Sequence, residues 1–476
     1  MTEYEAVVGL ECHVELSTAT KMFCGCPNTF GGEPNTRTCP VCLGHPGTLP
    51  VPNREAVERT MKIALALDGE VAPRSLFHRK NYFYPDMPKN YQISQYDLPI
   101  GTSGHLDIDV DGEMRRIGMN RVHLEEDTGK TVHASTTGRI AEAEYALEDF
   151  NRAGVPLVEV VSEPEMRSPE EARAYLQELR ALLEALGVSD VRMEEGSLRC
   201  DANVSVRPVG TPELGTKVEI KNMNSIRSVE RAVRFEIDRQ RDALDRDESL
   251  IQETRHWDED RGVTSSLRSK EEAFDYRYFP EPDLPPMEPD DEWISKLRAE
   301  LPELPAARRR RFVESLDVTS EQARILTSSP AWADLFEATV DAADQPGRTV
   351  ANWFTQTLIP QVPAERAAGR ADAVVEVLRL VEDGEISSTA GKEVLVESVG
   401  TGRPPSEVVD ERGLRQITDL GGVVDEVIAE NPGPAEQFRG GKEGVVGFLI
   451  GQVMKKTGGA ANPQEAQRLL RERLSS

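Results

Sequence analysis

The 476-residue chain reads as an α+β protein. Strand-like and helix-like runs do not alternate strictly over residues 1–290, which argues against a doubly wound sheet. From Pro280 to Pro289 five prolines fall within ten residues, and no helix passes through such a stretch. From about residue 291 onward the pattern is helical. The expectation is a first domain with a mixed or antiparallel sheet at 1–290 and helical domains beyond it. At roughly 100–200 residues per domain, two to four domains fit the length. Gly400–Pro405 (Gly-Thr-Gly-Arg-Pro-Pro) suggests a second boundary, giving a helical domain at 291–402 and a small helical tail domain at 403–476.

Leu157–Val161, Ala202–Arg207 and Lys217–Ile220 read as strands, the second on a clear apolar–polar alternation. The helix expected at 169–186 has Ser168 as N-cap, Pro169 at its first position, Glu171 completing a capping box and Gly187 as its stop. A second helix follows Asn224, where Ile226, Val229, Val233 and Ile237 recur at three- and four-residue spacing.

A net charge of −27 and a pI near 4.8 disfavour a basic nucleic-acid-binding face, and on composition alone an ordinary acidic protein fits best. Yet only 13 of the 56 basic residues are lysine. Abundant carboxylates with scarce lysine suit a halophilic protein working in concentrated salt, where screening relieves self-repulsion. The same screening weakens phosphate contacts, so RNA binding there leans on shape, stacking and hydrogen bonds. The longest apolar runs, such as Gly154–Val161, are too short to span a bilayer. The acidic start Met1–Glu5 lacks the features of a signal peptide, so a cytoplasmic location is expected.

Four of six cysteines fall as Cys24-Gly-Cys26 and Cys39-Pro-Val-Cys42, a spacing suited to a closed, structural zinc site. Glu11, His13 and Glu15 share one face if their segment is a strand, which makes a candidate metal site or a solvated strand face. Two further acidic groups, His123–Asp127 and Met193–Asp201, sit among Leu, Met, Gly and Cys rather than in charge runs. Their hard oxygen ligands suit Mg²⁺ beside a nucleotide's phosphates. Tyr82, Phe83, Tyr84 and Tyr91 cluster with Arg79, Lys80, Lys89 and Gln92, a composition that stacks a base and grips phosphate, or else forms an aromatic core strand. There is no P-loop and no nucleophile elbow. Bound ATP would therefore need an acidic metal cradle.

Taken together, these segments resemble the GatB family. The matching stretches are Val8–Leu16, Arg79–Pro85, Tyr91–Gln95, His123–Asp127, Val160–Pro164, Met193–Asn203, Lys221–Ser225 and Asp275–Asp283, spread over essentially the whole chain. The resemblance implies a cradle-shaped N-terminal domain, a helical middle domain and a tail domain that touches tRNA. It implies an ATP-dependent carbon–nitrogen ligase using glutamine as amido donor, in a heterotrimer with GatA, the glutaminase, and GatC. Its substrate is mischarged Asp- or Glu-tRNA, whose side-chain carboxylate is phosphorylated and then amidated. By motif match, Glu11, His13 and Glu125 are the best Mg²⁺ ligands, followed by Glu126, Glu194 and Asp201. Arg79, Lys80 and Lys221 would meet phosphate or substrate carboxylate. Tyr82, Tyr84, Tyr91, Gln92 and Ser94 would line the substrate path, and Lys442, Lys455 and Lys456 would contact tRNA. The paired cysteines occur in some family members only. The related GatE subunit carries an inserted domain for which this chain lacks room. The competing reading is a zinc-braced RNA-binding module without chemistry of its own.

Overall fold

In a computed structural model the protein is described at residues 3–134, 143–269, 273–417, 419–457 and 460–475. It divides into two compact units, residues 1–305 and 306–476.

The first unit is built on a nine-stranded sheet. In chain order its strands are β1 (Tyr4–Glu15), β2 (Glu70–Val71), β5 (Gly101–Val110), β6 (Glu113–Glu126), β9 (Pro156–Ser162), β10 (Leu198–Pro208), β11 (Val218–Met223), β12 (Glu253–Asp258) and β13 (Val263–Ser269). They lie side by side as β13-β12-β11-β10-β1-β9-β6-β5-β2. Every pairing is antiparallel except β11 with β12. Two small sheets complete the unit. One combines β3 (His78–Asn81), β4 (Tyr91–Ser94) and β14 (Phe279–Pro280), the other β7 (Lys130–His133) and β8 (Ala146–Asp149). This is the expected α+β class with a mixed, mainly antiparallel sheet.

The helices α1 (Arg54–Ala66), α2 (Pro169–Ala185) and α3 (Ile226–Asp245) pack against the large sheet. The strand period of two explains the division of labour. Along β1, Ala6, Val8, Leu10, Cys12 and Val14 are buried in a core shared with Leu176, Leu179, Val229 and Val233 of the helices. Glu11, His13 and Glu15 therefore point to the other face. Ser168 caps α2 through the Glu171 amide as expected, but the Glu171 carboxylate returns to Arg167 N, one residue before the cap. Ser225 caps α3.

The proline-rich stretch runs along this unit, with Met287 paired to Ser75 and Leu284 buried. Beyond it, α4 (Asp291–Ala299) lays Trp293 on α1, where its indole donates to Glu58 at 3.0 Å and lies under Arg54. The second unit is helical and holds two apolar clusters. One centres on the edge-to-face rings of Phe312, Phe336 and Phe354, the other on Val424, Leu449, Val453 and Leu470. No helix among the described residues is long and apolar enough to cross a membrane.

Candidate active site

Cross-strand register assembles the site. On the face away from the helices, His13 of β1 lies opposite Arg199 of β10 on one side and Glu159 of β9 on the other. Glu159 in turn faces His123 of β6, so one row of ionisable side chains crosses four strands. Two residues along β1, Glu11 lies opposite Asp201. Two residues along β6 from His123 comes Glu125. Directly opposite residues hold their Cβ atoms about 5 Å apart, close enough for their side chains to share one ion.

The distances bear this out. His13 Nε2 is 4.0 Å from both Glu11 Oε1 and Glu159 Oε2. His123 Nε2 is 2.7 Å from Glu159 Oε2 and 3.4 Å from Glu125 Oε2. Ser94 Oγ donates to Glu125 at 2.7 Å. Two candidate ligand sets result, Glu11–His13–Asp201 and His13–Glu125–Glu159, with donor atoms within 4.8 Å of one another in each and His13 common to both. An octahedral Mg²⁺ needs donors about 3–4 Å apart, so small side-chain adjustments would close either set.

The electrostatics are those of a cluster short of positive charge. Burial, reinforced by Glu159 and Asp201, pushes the Glu11 carboxyl up to about 8. Burial also lowers His13 against the pull of Glu159 and Glu125, favouring the neutral imidazole that can ligate a metal. His123 behaves oppositely. Burial disfavours its charge, but Glu159 and Glu125 outweigh burial and push it up to about 9. Lys221 closes the other end, salt-bridged to Asp201 and 3.6 Å from Glu219. A second cluster lies alongside, in which Arg199 donates to Asp127 at 2.7 Å and Arg152 stands 3.7 Å away. Burial and Asp127 together hold Glu15 up to about 8.

The structure thus gathers Glu11, His13, Glu125, Asp201 and Lys221 of the sequence candidates. Others lie elsewhere. Glu126 turns to the opposite side of its strand, bound by Lys89 and by Ile93 N at 2.9 Å. Glu194 is exposed on the turn before β10 and joins neither ligand set. Arg79 is held bidentate by the buried Glu281 at 2.7 and 2.8 Å and stacks on Tyr91. Lys80 stays beside the cluster, where the charges of Glu125 and Glu159 act on it, and points its ammonium at the Tyr276 ring, 4.9 Å from the centroid. Tyr82 meets the same ring edge-on, Gln92 holds Glu126 O and Tyr84 is exposed. Lys442, Lys455 and Lys456 belong to the second unit, where Lys442 and Lys455 are exposed and Lys456 is paired with Glu426 and Glu430. Sequence reasoning missed Glu159 as a candidate ligand. Its signal was a single carboxylate inside the apolar run Leu157–Val161.

The four cysteines converge, with all sulfurs within 4.8 Å of one another and Cys39 Sγ 3.9 Å from Cys42 Sγ. Tetrahedral zinc places its sulfurs about 3.8 Å apart, so the set fits that ion. Gly44, at φ +67°, lets the backbone just after Cys42 pass close to Lys89, where a Cβ would lie 2.2 Å from Lys89 Cγ. Beside the sulfurs runs a cleft of about 210 Å³ lined by Arg79, Lys89, Tyr91 and Glu126.

Comparison with known proteins defines the class. Residues 6–295 match the family described as the GatB/GatE catalytic domain, and residues 334–474 match the GatB domain. The B subunit of the aspartyl/glutamyl-tRNA(Asn/Gln) amidotransferase of Carboxydothermus hydrogenoformans is 53% identical over all of both chains. Its counterpart in Moorella thermoacetica is 54% identical over 99% of this chain and 100% of its own, and that of Crocosphaera subtropica 47% over 100% and 98%. The chain belongs to the GatB family.

Proposed function

We propose that this chain is the GatB component of a tRNA-dependent amidotransferase, and that its sheet face phosphorylates the side-chain carboxylate of a mischarged Asp- or Glu-tRNA with ATP. The observation that carries the reading is the pair of ligand sets joined at His13. A carboxylate resists amidation because its leaving group would be oxide, and phosphorylation supplies a better one. Mg²⁺ held by Glu11, His13, Glu125, Glu159 and Asp201 would offset the charge developing on the transferred phosphoryl group. His123 keeps its proton at neutral pH and so fixes Glu159 as a carboxylate. Lys221 pairs with Asp201 and offers a cation at the site's edge. Lys80, whose charge burial opposes but Glu125 and Glu159 favour, stands ready for phosphate or substrate carboxylate. Ammonia from a glutaminase subunit, GatA, would displace phosphate, with GatC completing a cytoplasmic heterotrimer. Zinc on Cys24, Cys26, Cys39 and Cys42 would brace the loop beside the sheet. Within this reading the sheet unit is the catalytic domain, and the helical residues beyond it form a middle domain and a tRNA-contacting tail bearing Lys442, Lys455 and Lys456.

The test is ADP release by the complex assembled with GatA and GatC, in high salt. Asp-tRNA, Glu-tRNA and uncharged tRNA would be compared for the native chain and Glu11→Ala. ADP formed only with a mischarged tRNA, and lost in Glu11→Ala, supports the proposal and names the substrate. A complex that binds tRNA but forms no ADP would instead be a zinc-braced binding module.

A further inference from the structure

Five rings form a continuous ladder beside the acidic face. Tyr82 meets Tyr276 edge-on at 6.3 Å, Tyr276 meets Tyr278 edge-on at 6.1 Å, and Tyr96 meets the His78 ring edge-on at 6.2 Å. The join between them differs. Tyr278 and Tyr96 are stacked face to face, 4.5 Å between centroids and 10° from parallel. Tyr96 is nonetheless 48% exposed, so one face is backed by Tyr278 while much of its surface meets solvent. An exposed aromatic ring held by a face contact and an edge contact is already ordered before anything binds.

The segment presenting Tyr278 is also built at a cost. Arg277 adopts φ +47°, a left-handed conformation unfavourable for a residue with a long side chain. The Asn81 side-chain amide holds this turn by donating to Tyr276 O at 3.2 Å and to Arg277 O at 2.9 Å. The turn thereby aims Tyr276 beneath the Lys80 ammonium and Tyr278 against Tyr96. The ladder also adjoins the candidate cation site: just before Tyr96 in the chain, Ser94 Oγ donates to Glu125 at 2.7 Å and Gln95 Oε1 accepts from Leu124 N at 3.1 Å.

We propose that the exposed ring of Tyr96, backed by Tyr278, is a stacking platform for an adenine ring whose phosphate or ester end reaches the Glu125–Glu159 face. This deepens the proposed function and rests on it, because two substrates of that reaction carry adenine: ATP and the terminal adenosine of the tRNA. Sequence-tolerant stacking on tyrosine needs only a π-face, and base–aromatic stacking contributes about 5- to 100-fold in affinity. The Tyr82–Tyr91 segment singled out in the sequence supplies one rung of the ladder, Tyr82, while the platform itself comes from Tyr96 and Tyr278.

The test is fluorescence binding to the full-length chain in complex with its partner subunits. Two probes are used, etheno-ATP and a tRNA whose terminal adenosine is replaced by 2-aminopurine riboside. Tyr96→Ala and Tyr96→Leu weaken one probe by about 5- to 100-fold while Tyr96→Phe stays within about threefold of the native chain. The probe that responds identifies the source of the adenine. Thermal melting first establishes that each variant is folded, which half-exposure of Tyr96 favours. Undiminished binding of both probes by Tyr96→Ala overturns the proposal. So does equal loss in Tyr96→Phe, which would assign the effect to the hydroxyl, or retention in Tyr96→Leu, which would make it simple apolar contact. A complex that binds a probe through Tyr96 yet forms no ADP with mischarged tRNA would leave the platform standing and remove the kinase reading.

Discussion

Glu159 Oε2 lies 2.7 Å from His123 Nε2, and the two residues face each other across β9 and β6 on the open side of the sheet. The same oxygen is 4.0 Å from His13 Nε2. Glu159 thus joins a histidine whose charge is favoured to one whose charge is disfavoured, and it belongs to a candidate ligand set although its strand is otherwise apolar.

Replacing Glu159 by glutamine should remove a cation ligand without changing volume. The Mg²⁺ concentration for half-maximal ADP formation is expected to rise about 10- to 100-fold, as for loss of other metal-site contacts. A titration of Mg²⁺ against ADP release checks this, and an unshifted midpoint would exclude Glu159 from the site.

Stability in the presence of a chelator should fall as pH rises from about 6.5 to about 9. His123 titrates near 9 when folded against 6.5 when not, so the folded chain holds the extra proton between those values. That stabilisation is complete below the unfolded value and lost on passing through the folded one. Glu11 and Glu15, raised from 4.5 to about 8, act in the same direction above pH 4.5. Urea midpoints across the range measure it, and in Glu159→Gln the decline should be shallower.

Zinc retention should depend on Lys21 as well as on the cysteines. Lys21 is fully buried, donates to Arg37 O at 2.8 Å and to Phe150 O at 3.3 Å, and lies 3.9 Å from Cys42 Sγ. Among the described residues its ammonium forms no salt bridge to a carboxylate, so a zinc-bound thiolate is its natural counter-charge. Lys21→Met should lower zinc affinity about tenfold in competition with a chromophoric chelator, as for loss of a group that supports a ligand. Cys42→Ser should release the ion and lower the Tm.

Arg79→Ala should act on stability rather than on phosphate binding. Its guanidinium is the partner of Glu281, whose side chain is wholly buried, and removal would strand that carboxylate at about 2–4 kcal/mol. Arg79→Lys should recover only part of this, since an ammonium cannot make the bidentate contact. Urea unfolding of both variants beside Mg²⁺-dependent ADP formation separates the two roles.

Much was legible in the chain itself. Strand alternation put Glu11, His13 and Glu15 on one face, spacing paired Cys24 and Cys26 with Cys39 and Cys42, a cap marked α2 and apolar periodicity marked α3. Each of these is a local property, set within a few residues by backbone period, sulfur spacing or turn chemistry. What could not be read locally was which carboxylates meet. Glu159 and His123 are 36 positions apart and become neighbours through the register of β9 and β6, while Arg79 meets Glu281 across 202 positions. Adjacent Glu125 and Glu126 look interchangeable in sequence, yet strand alternation sends one to the histidines and the other to Lys89. Register and facing depend on burying the apolar side of the whole sheet at once, because slipping a strand by one residue would exchange its charged and apolar faces.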